Sequence, residues 1–111
     1  MVMEKLTEEE KEIAKKIASV LANKYIGKSN SISATIICSR VEDKNYKLST
    51  EKLRAMIQWL RMQGFRICSS PKGYWYAANK QEFKECAERL KSRIESQRAT
   101  LLAMKQILDK W

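Results

Sequence analysis

The feature that most constrains this chain is an unbroken apolar seam at its C-terminal end. Phe83, Ala87, Leu90, Ile94, Gln97, Leu101, Met104, Leu108 and Trp111 follow one another in alternating steps of four and three. That is a heptad pattern, polar only at Gln97, and it specifies one long helix with an apolar stripe for a partner. No Gly or Pro interrupts it. Asn79 stands where an N-cap belongs, and Glu82 follows three residues later as a capping-box partner. The seam runs about 29 residues, or ~44 Å, which is too long for one small domain to cover. With 111 residues in all, the rest of the chain has room for one small domain. We therefore expect two parts, a folded domain over 1–78 and an associating helix over 79–111.

The flanks of the seam constrain its partner. With Leu90 at d and Ile94 at a, Lys84, Lys91, Arg98 and Lys105 fall at e, and Cys86, Arg93, Thr100 and Ile107 at g. No acidic residue occupies either set, so a homodimer gains no opposite-charge pair in either orientation. Like-charge pairs cost a few tenths of a kcal/mol each, whereas a buried Leu or Ile gains about 1.5–3 kcal/mol. Dimerisation through Phe83, Leu90, Ile94, Leu101, Met104, Leu108 and Trp111 is thus expected. The edge cations call for acidic neighbours, which Glu8, Glu9, Glu10 and Glu12 near the N-terminus offer. A homodimer in which the last helix packs partly on the first is the expected arrangement. The alternatives are a last helix folded back within one chain and a separate acidic protein partner.

The upstream part reads as three helices and a hairpin. Thr7 caps a first helix, with Glu10 as its capping-box partner, and Ile13, Ile17, Val20 and Leu21 form its apolar face. Gly27 closes it. Ile32 is a short extended contact, and Ser33 caps a short helix over 34–40. Residues 42–47 are a charged loop. Ser49 caps a third helix, with Leu48 and Leu53 as a hydrophobic staple and Gly64 as the stop. Leu53, Met56, Ile57 and Leu60 face the core; Glu51, Ala55, Gln58 and Met62 face away, with Arg54 and Arg61 on one flank and Lys52 and Trp59 on the other. Residues 65–69 and 74–77 pair as a hairpin around the turn Ser70-Pro71-Lys72-Gly73. The fold class is mainly α with a small β-hairpin.

The stretch Leu48-Ser49-Thr50-Glu51-Lys52-Leu53-Arg54, continuing through Leu60-Arg61, Gly64, Ile67 and Gly73-Tyr74, resembles the recognition helix and wing of biotin-repressor-type winged helix-turn-helix domains. It is also similar to small phage-encoded DNA-binding proteins with a helical tail. The resemblance covers roughly residues 6–78. It implies that the third helix enters the major groove of double-stranded DNA. Ser49, Thr50, Glu51, Arg54, Ala55 and Gln58 would then be presented to base edges, and Lys52, Arg61 and Lys72 to phosphates, with the wing turn placing Lys72 in or beside the minor groove. The alternative makes Arg54 and Arg61 solvated charges or partners of Glu42, Asp43 or Glu51. Tyr74, Trp75 and Tyr76 suit packing of the hairpin better than a stacking platform for single strands.

Charge agrees with a polyanionic partner. The net charge is +9, and residues 49–78 hold five cations against Glu51 alone. There is no His, and the three cysteines form no CxxC pair. No metal site and no cofactor are expected, and the commonest general base is missing. An enzyme is not expected. Cysteine usage fits a reducing, cytoplasmic compartment. No apolar run reaches the ~18 residues of a membrane span, and the first ten residues show no apolar signal-peptide core. The leading expectation is a dimeric, non-enzymatic DNA-binding protein, a transcriptional regulator or phage-type accessory factor. The other is a winged-helix adaptor for protein assembly or replication.

Overall fold

The computed structural model describes residues 5–41 and 46–111. In chain order it contains α1 (Glu8–Lys24), a 3-10 turn at Lys28–Asn30, α2 (Ala34–Val41), α3 (Thr50–Met62), β1 (Ile67–Ser70), β2 (Gly73–Tyr76) and α4 (Lys80–Lys110). The fold is α+β, mostly helical, with a two-stranded antiparallel hairpin and a long C-terminal helix, in an order compatible with a winged-helix-like arrangement. Glu42 and Asp43, two of the acidic residues considered for Arg54 and Arg61, lie outside the described residues.

Local sequence explains where each helix starts. Thr7 Oγ1 accepts from Glu10 N–H at 3.1 Å, and Glu10 Oε1 accepts from Thr7 N–H at 2.9 Å, a complete capping box. Ser33 Oγ accepts from Ile36 N–H at 3.3 Å and Ser49 Oγ from Lys52 N–H at 3.0 Å. Leu48 and Leu53, the staple pair, are both buried. Glu10 does more than cap. It is buried, and its Oε2 accepts from Tyr46 Oη at 2.8 Å and from Lys52 Nζ at 3.1 Å, so one carboxylate joins α1 to α3. The Thr7 backbone bond first, then Tyr46 and Lys52, outweigh burial and hold its pKa at about 2. Tyr46 moves the other way, to about 12, because it is partly buried and donates to that carboxylate.

The core lies where α1 and α2 pack on α3. Leu53, Met56 and Leu60 are fully buried and Ile57 nearly so, as the spacing predicts. Two assignments change. Val20 is 47% exposed, and Ala14 and Ala18 are buried in its stead; small side chains let α1 approach α3 closely, which turns Val20 outward. Ala55, expected to face outward toward base edges, is buried, because α3 is covered from two sides and its buried arc is wider than one stripe.

Ile67 pairs with Tyr76, Cys68 with Trp75, Ser69 with Tyr74 and Ser70 with Gly73, so Pro71 and Lys72 form the tip. The first strand begins at Ile67 rather than 65, because Phe65 N–H still bonds the Leu60 carbonyl at 3.1 Å as the chain leaves α3. On its other edge β2 meets Ile32, with Ile32 N–H to Tyr74 O at 2.8 Å and Tyr74 N–H to Ile32 O at 2.9 Å. The extended contact at Ile32 is therefore a third, one-residue rung of the sheet. Gly73 is required there: its φ is +148°, and an added Cβ would fall on the Ile32 carbonyl.

Both faces of the hairpin are covered. Ile67 joins the main core, whereas Cys68 and Trp75 are buried outside it, on the face toward the first turns of α4. The start of α4 differs from the expected capping box. Asn79 Oδ1 accepts from Glu82 N–H at 2.9 Å, but the Glu82 carboxylate accepts from Trp75 Nε1 at 2.7 Å and from Ala78 N–H at 3.1 Å rather than from Asn79. The indole N–H, buried with its ring, needs that acceptor. Burial opposes ionisation of Glu82, but these bonds and one from Lys28 N–H keep its pKa below the usual carboxylate value.

From Ala87 onward every residue of α4 is exposed. Its main packing is on β1, and no hydrogen bond or ion pair joins it to α1 among the described residues. This corrects, within one chain, the expectation that the last helix packs on the first. The reason is local use of the acidic residues: Glu8 pairs with Lys11 at 3.3 Å, Glu12 with Lys15 at 3.6 Å, and Glu10 is in the capping box. Nor does α4 fold back across the domain.

Candidate nucleic-acid interface

The outward face of α3, the start of α2, the hairpin tip and α4 enclose an open cleft of about 620 Å³. Arg54, Gln58 and Arg61 come from α3, Ser33 and Thr35 from the start of α2, Lys72 from the tip, and Leu90 and Arg93 from α4. Four cations line it and no carboxylate does. With low-dielectric protein on several sides, such a cleft concentrates anions more strongly than the same charges on a flat surface.

The expected contact residues separate into two groups. Arg54, Gln58 and Lys72 are exposed at the cleft, and none of the three side chains has a hydrogen-bond or ion-pair partner among the described residues. Arg61 also lines it, but its guanidinium is engaged: Nε donates to the Ile67 carbonyl at 2.9 Å and Nη2 to Ser69 Oγ at 3.1 Å. It braces β1 against α3 and leaves part of its fork facing the cleft. Ser49, Thr50 and Lys52 stand outside the cleft lining. Ser49 is spent as the N-cap, Thr50 is exposed at the helix start, and Lys52 points to α1 and Glu10. Helical geometry accounts for the split, since Lys52 and Arg54 lie about 200° apart around the axis.

The aromatic residues pack as expected. Trp75 is buried, and Tyr74 and Tyr76 are half-buried against the core. Burial raises the pKa of Tyr74 even though Arg54 and Arg61 pull it down, so it stays a neutral donor at the cleft wall. Trp59 is half-buried, with Lys11 Nζ 5.9 Å from its ring centroid.

Arg93 and Leu90 were not among the expected contact residues. In the heptad pattern they are simply a g and a d position, and nothing local says that the helix passes the hairpin tip. The seam residues beyond the domain are bare: Leu90 is 45% exposed, Ile94 48%, Leu101 52%, Met104 56%, Leu108 69% and Trp111 98%. Phe83 alone of the association set is half-buried on its own domain. Among the described residues no three His, Cys, Asp or Glu side chains gather as metal ligands, and no helix is long and apolar enough to cross a membrane. The chain matches no known protein family, curated protein or solved structure in comparison.

Proposed function

We propose that this protein is a non-enzymatic binder of double-stranded DNA, of the biotin-repressor type of winged helix, and that two copies associate through α4. The observation that carries the reading is the cleft at α3 and the hairpin tip, with Arg54, Arg61, Lys72 and Arg93 and no carboxylate. Arg54 and Gln58 are the base-reading residues: a guanidinium suits guanine O6/N7 and a side-chain amide suits adenine N6/N7. Lys72 and Arg93 flank them and hold phosphates. Arg61 reaches the backbone only with the donors not already given to β1. Association through α4 presents two copies of α3 to half-sites about one helical turn, ~34 Å, apart. A transcriptional regulator or phage-type accessory factor is the role such a molecule fits.

The test is fluorescence anisotropy of the full chain with a random-sequence duplex at about 50 and about 200 mM salt. Four phosphate contacts weaken binding roughly a hundredfold over that range. No binding at the lower salt refutes the DNA reading. The bare seam of α4 and the internal use of Lys52 and Arg61 favour one second reading, an adaptor that uses the domain as scaffold and binds an acidic, apolar helix of another protein. Under that reading the duplex is ignored at both salts.

A further inference from the structure

Cys68 and Cys86 come from different elements, and the interface described above uses neither. Cys68 is fully buried on β1, on the hairpin face that α4 covers. Cys86 is half-buried in the second turn of α4, its Sγ 4.0 Å from the carbonyl of Ser69, the residue that follows Cys68 on β1. Their surroundings are cationic. Arg61 Nη2 donates to Ser69 Oγ at 3.1 Å and Arg89 Nη2 to the Ser69 carbonyl at 3.1 Å. A crevice of about 120 Å³, adjoining the cleft through Arg61, Ser69, Leu90 and Arg93 and lined by Cys86, Arg89 and no carboxylate, opens this thiol to solvent. Cys38, on α2, is buried in the main core.

We propose that Cys86 is a hydroperoxide-reactive thiol and Cys68 its resolving partner, so that oxidation closes an intrachain disulfide that fastens α4 to β1. A thiolate is the nucleophile in such chemistry, and nearby guanidinium groups favour it. The neighbouring Cys68, then the Ser69 backbone and the two arginines, outweigh burial and bring Cys86 to about 5, while Cys86 and burial push Cys68 upward. The Cys86 sulfur attacks one oxygen of hydrogen peroxide; the O–O bond breaks and hydroxide leaves, giving Cys86 sulfenic acid. Cys68 then loses its proton as its sulfur attacks the Cys86 sulfur; the S–O bond breaks and that oxygen leaves as water. Two thiols are oxidised by one peroxide, and two waters form. Only Cys86 needs access to the oxidant, because Cys68 lies on β1 next to the Ser69 carbonyl that Cys86 reaches. The burial of Cys68 therefore does not prevent the second step. The inference stands apart from the DNA reading, since it concerns how α4 is held.

The experiment uses the full chain carrying Cys38→Ala, treated with dilute hydrogen peroxide and followed by intact mass, peptide mapping and thermal unfolding. The expected product is a single chain lighter by two hydrogens, with peptides joined between residues 68 and 86. Its Tm rises by on the order of 5–10 °C and returns on reduction. Adding Cys68→Ala stops the reaction at a sulfenic acid that dimedone labels at Cys86. Adding Cys86→Ser, a swap of similar size at a half-buried helix position, slows peroxide consumption by at least about tenfold. The proposal is overturned if the Cys86→Ser chain consumes peroxide at the parent rate. It is equally overturned if oxidation of the folded parent joins only separate chains.

Discussion

The domain over residues 6–78 and the helix that follows it obey the same helical rules and end in opposite states. In α3, Leu53, Met56 and Leu60 are fully buried, because α1 and α2 close over the apolar stripe. In α4, Leu90, Ile94, Leu101, Met104 and Leu108 form an equally regular stripe, and each is at least 45% exposed. Periodicity makes a helix amphipathic; it does not supply what the apolar face packs against. The 31-residue α4 is about 46 Å long against a longest molecular dimension of 52 Å, so the domain covers only its first turns. What holds α4 to the domain is instead polar and specific, the Glu82 carboxylate under the Trp75 indole and the Arg89 and Cys86 contacts to Ser69.

That contrast can be broken most forcefully in the core. Leu60→Ala should cost about 3–4 kcal/mol in denaturant unfolding, the range for a fully buried leucine. Leu101→Ala at micromolar or lower concentration should cost under about 0.5 kcal/mol. Equal losses would mean that α4 is part of the core in solution. Glu10→Ala should cost on the order of 2–3 kcal/mol, because Lys52, Tyr46 and the Thr7 N–H lose a charged acceptor at once. The pH dependence has a definite sign. The folded pKa of Glu10 is depressed, so its contribution is complete above the unfolded value of 4.5 and disappears as pH falls toward 2. Unfolding curves between pH 6 and pH 2 should therefore converge for wild type and the Glu10→Ala chain, and a constant gap would contradict the assignment.

Leu101→Asp addresses the tail directly. Placing a charge in the seam should weaken self-association by roughly 10–100-fold in sedimentation while leaving the unfolding midpoint of the monomer in place. A wild-type chain that is monomeric at high concentration would remove the dimer from the proposed function. The smallest and sharpest effect is a crossed pair on α3. Arg54→Ala should lose about 1–3 kcal/mol of duplex binding and relax base preference with little change in stability. Lys52→Ala should leave binding within about 0.5 kcal/mol and lower stability through Glu10 instead. If the two substitutions weaken binding equally, the side of α3 assigned to DNA is wrong.

The local layer of this protein was legible because its signals involve neighbours a few residues apart. Thr7 with Glu10, Ser33, Ser49, the Leu48–Leu53 staple and the Pro71-Lys72 turn all appear where residue type and spacing put them. The failures all involve a second element. Val20 and Ala55 change sides because the arc a helix buries depends on how many neighbours it has. Glu82 leaves its capping box for an indole seven residues back in the chain, since the buried N–H has the stronger claim. Glu10 looked like one acid in a cluster of four, and only the approach of Tyr46 and Lys52 makes it a junction. The candidate site divides in the same way. Arg54, Gln58 and Lys72 could be named because the resemblance singled out one helix and one turn, and helix spacing puts Gln58 on its outward face and Arg54 on a flank. Arg93 could not, because its place at the cleft depends on the direction in which α4 leaves the hairpin.

The sequence alone determined which segments are helical, where they begin, the position of the hairpin and the existence of a long apolar seam at the end. These follow from side-chain periodicity and from hydrogen bonds between residues three or four apart. Tertiary structure alone decided which cations remain available and which are tied to Glu10, Ile67 and Ser69. It also decided that Cys86 reaches the β1 backbone beside Cys68 and that α4 runs past the cleft rather than along α1. A charge or a thiol carries no local mark of its distant neighbour, and its chemistry depends on which group the folded chain brings within about 4 Å of it.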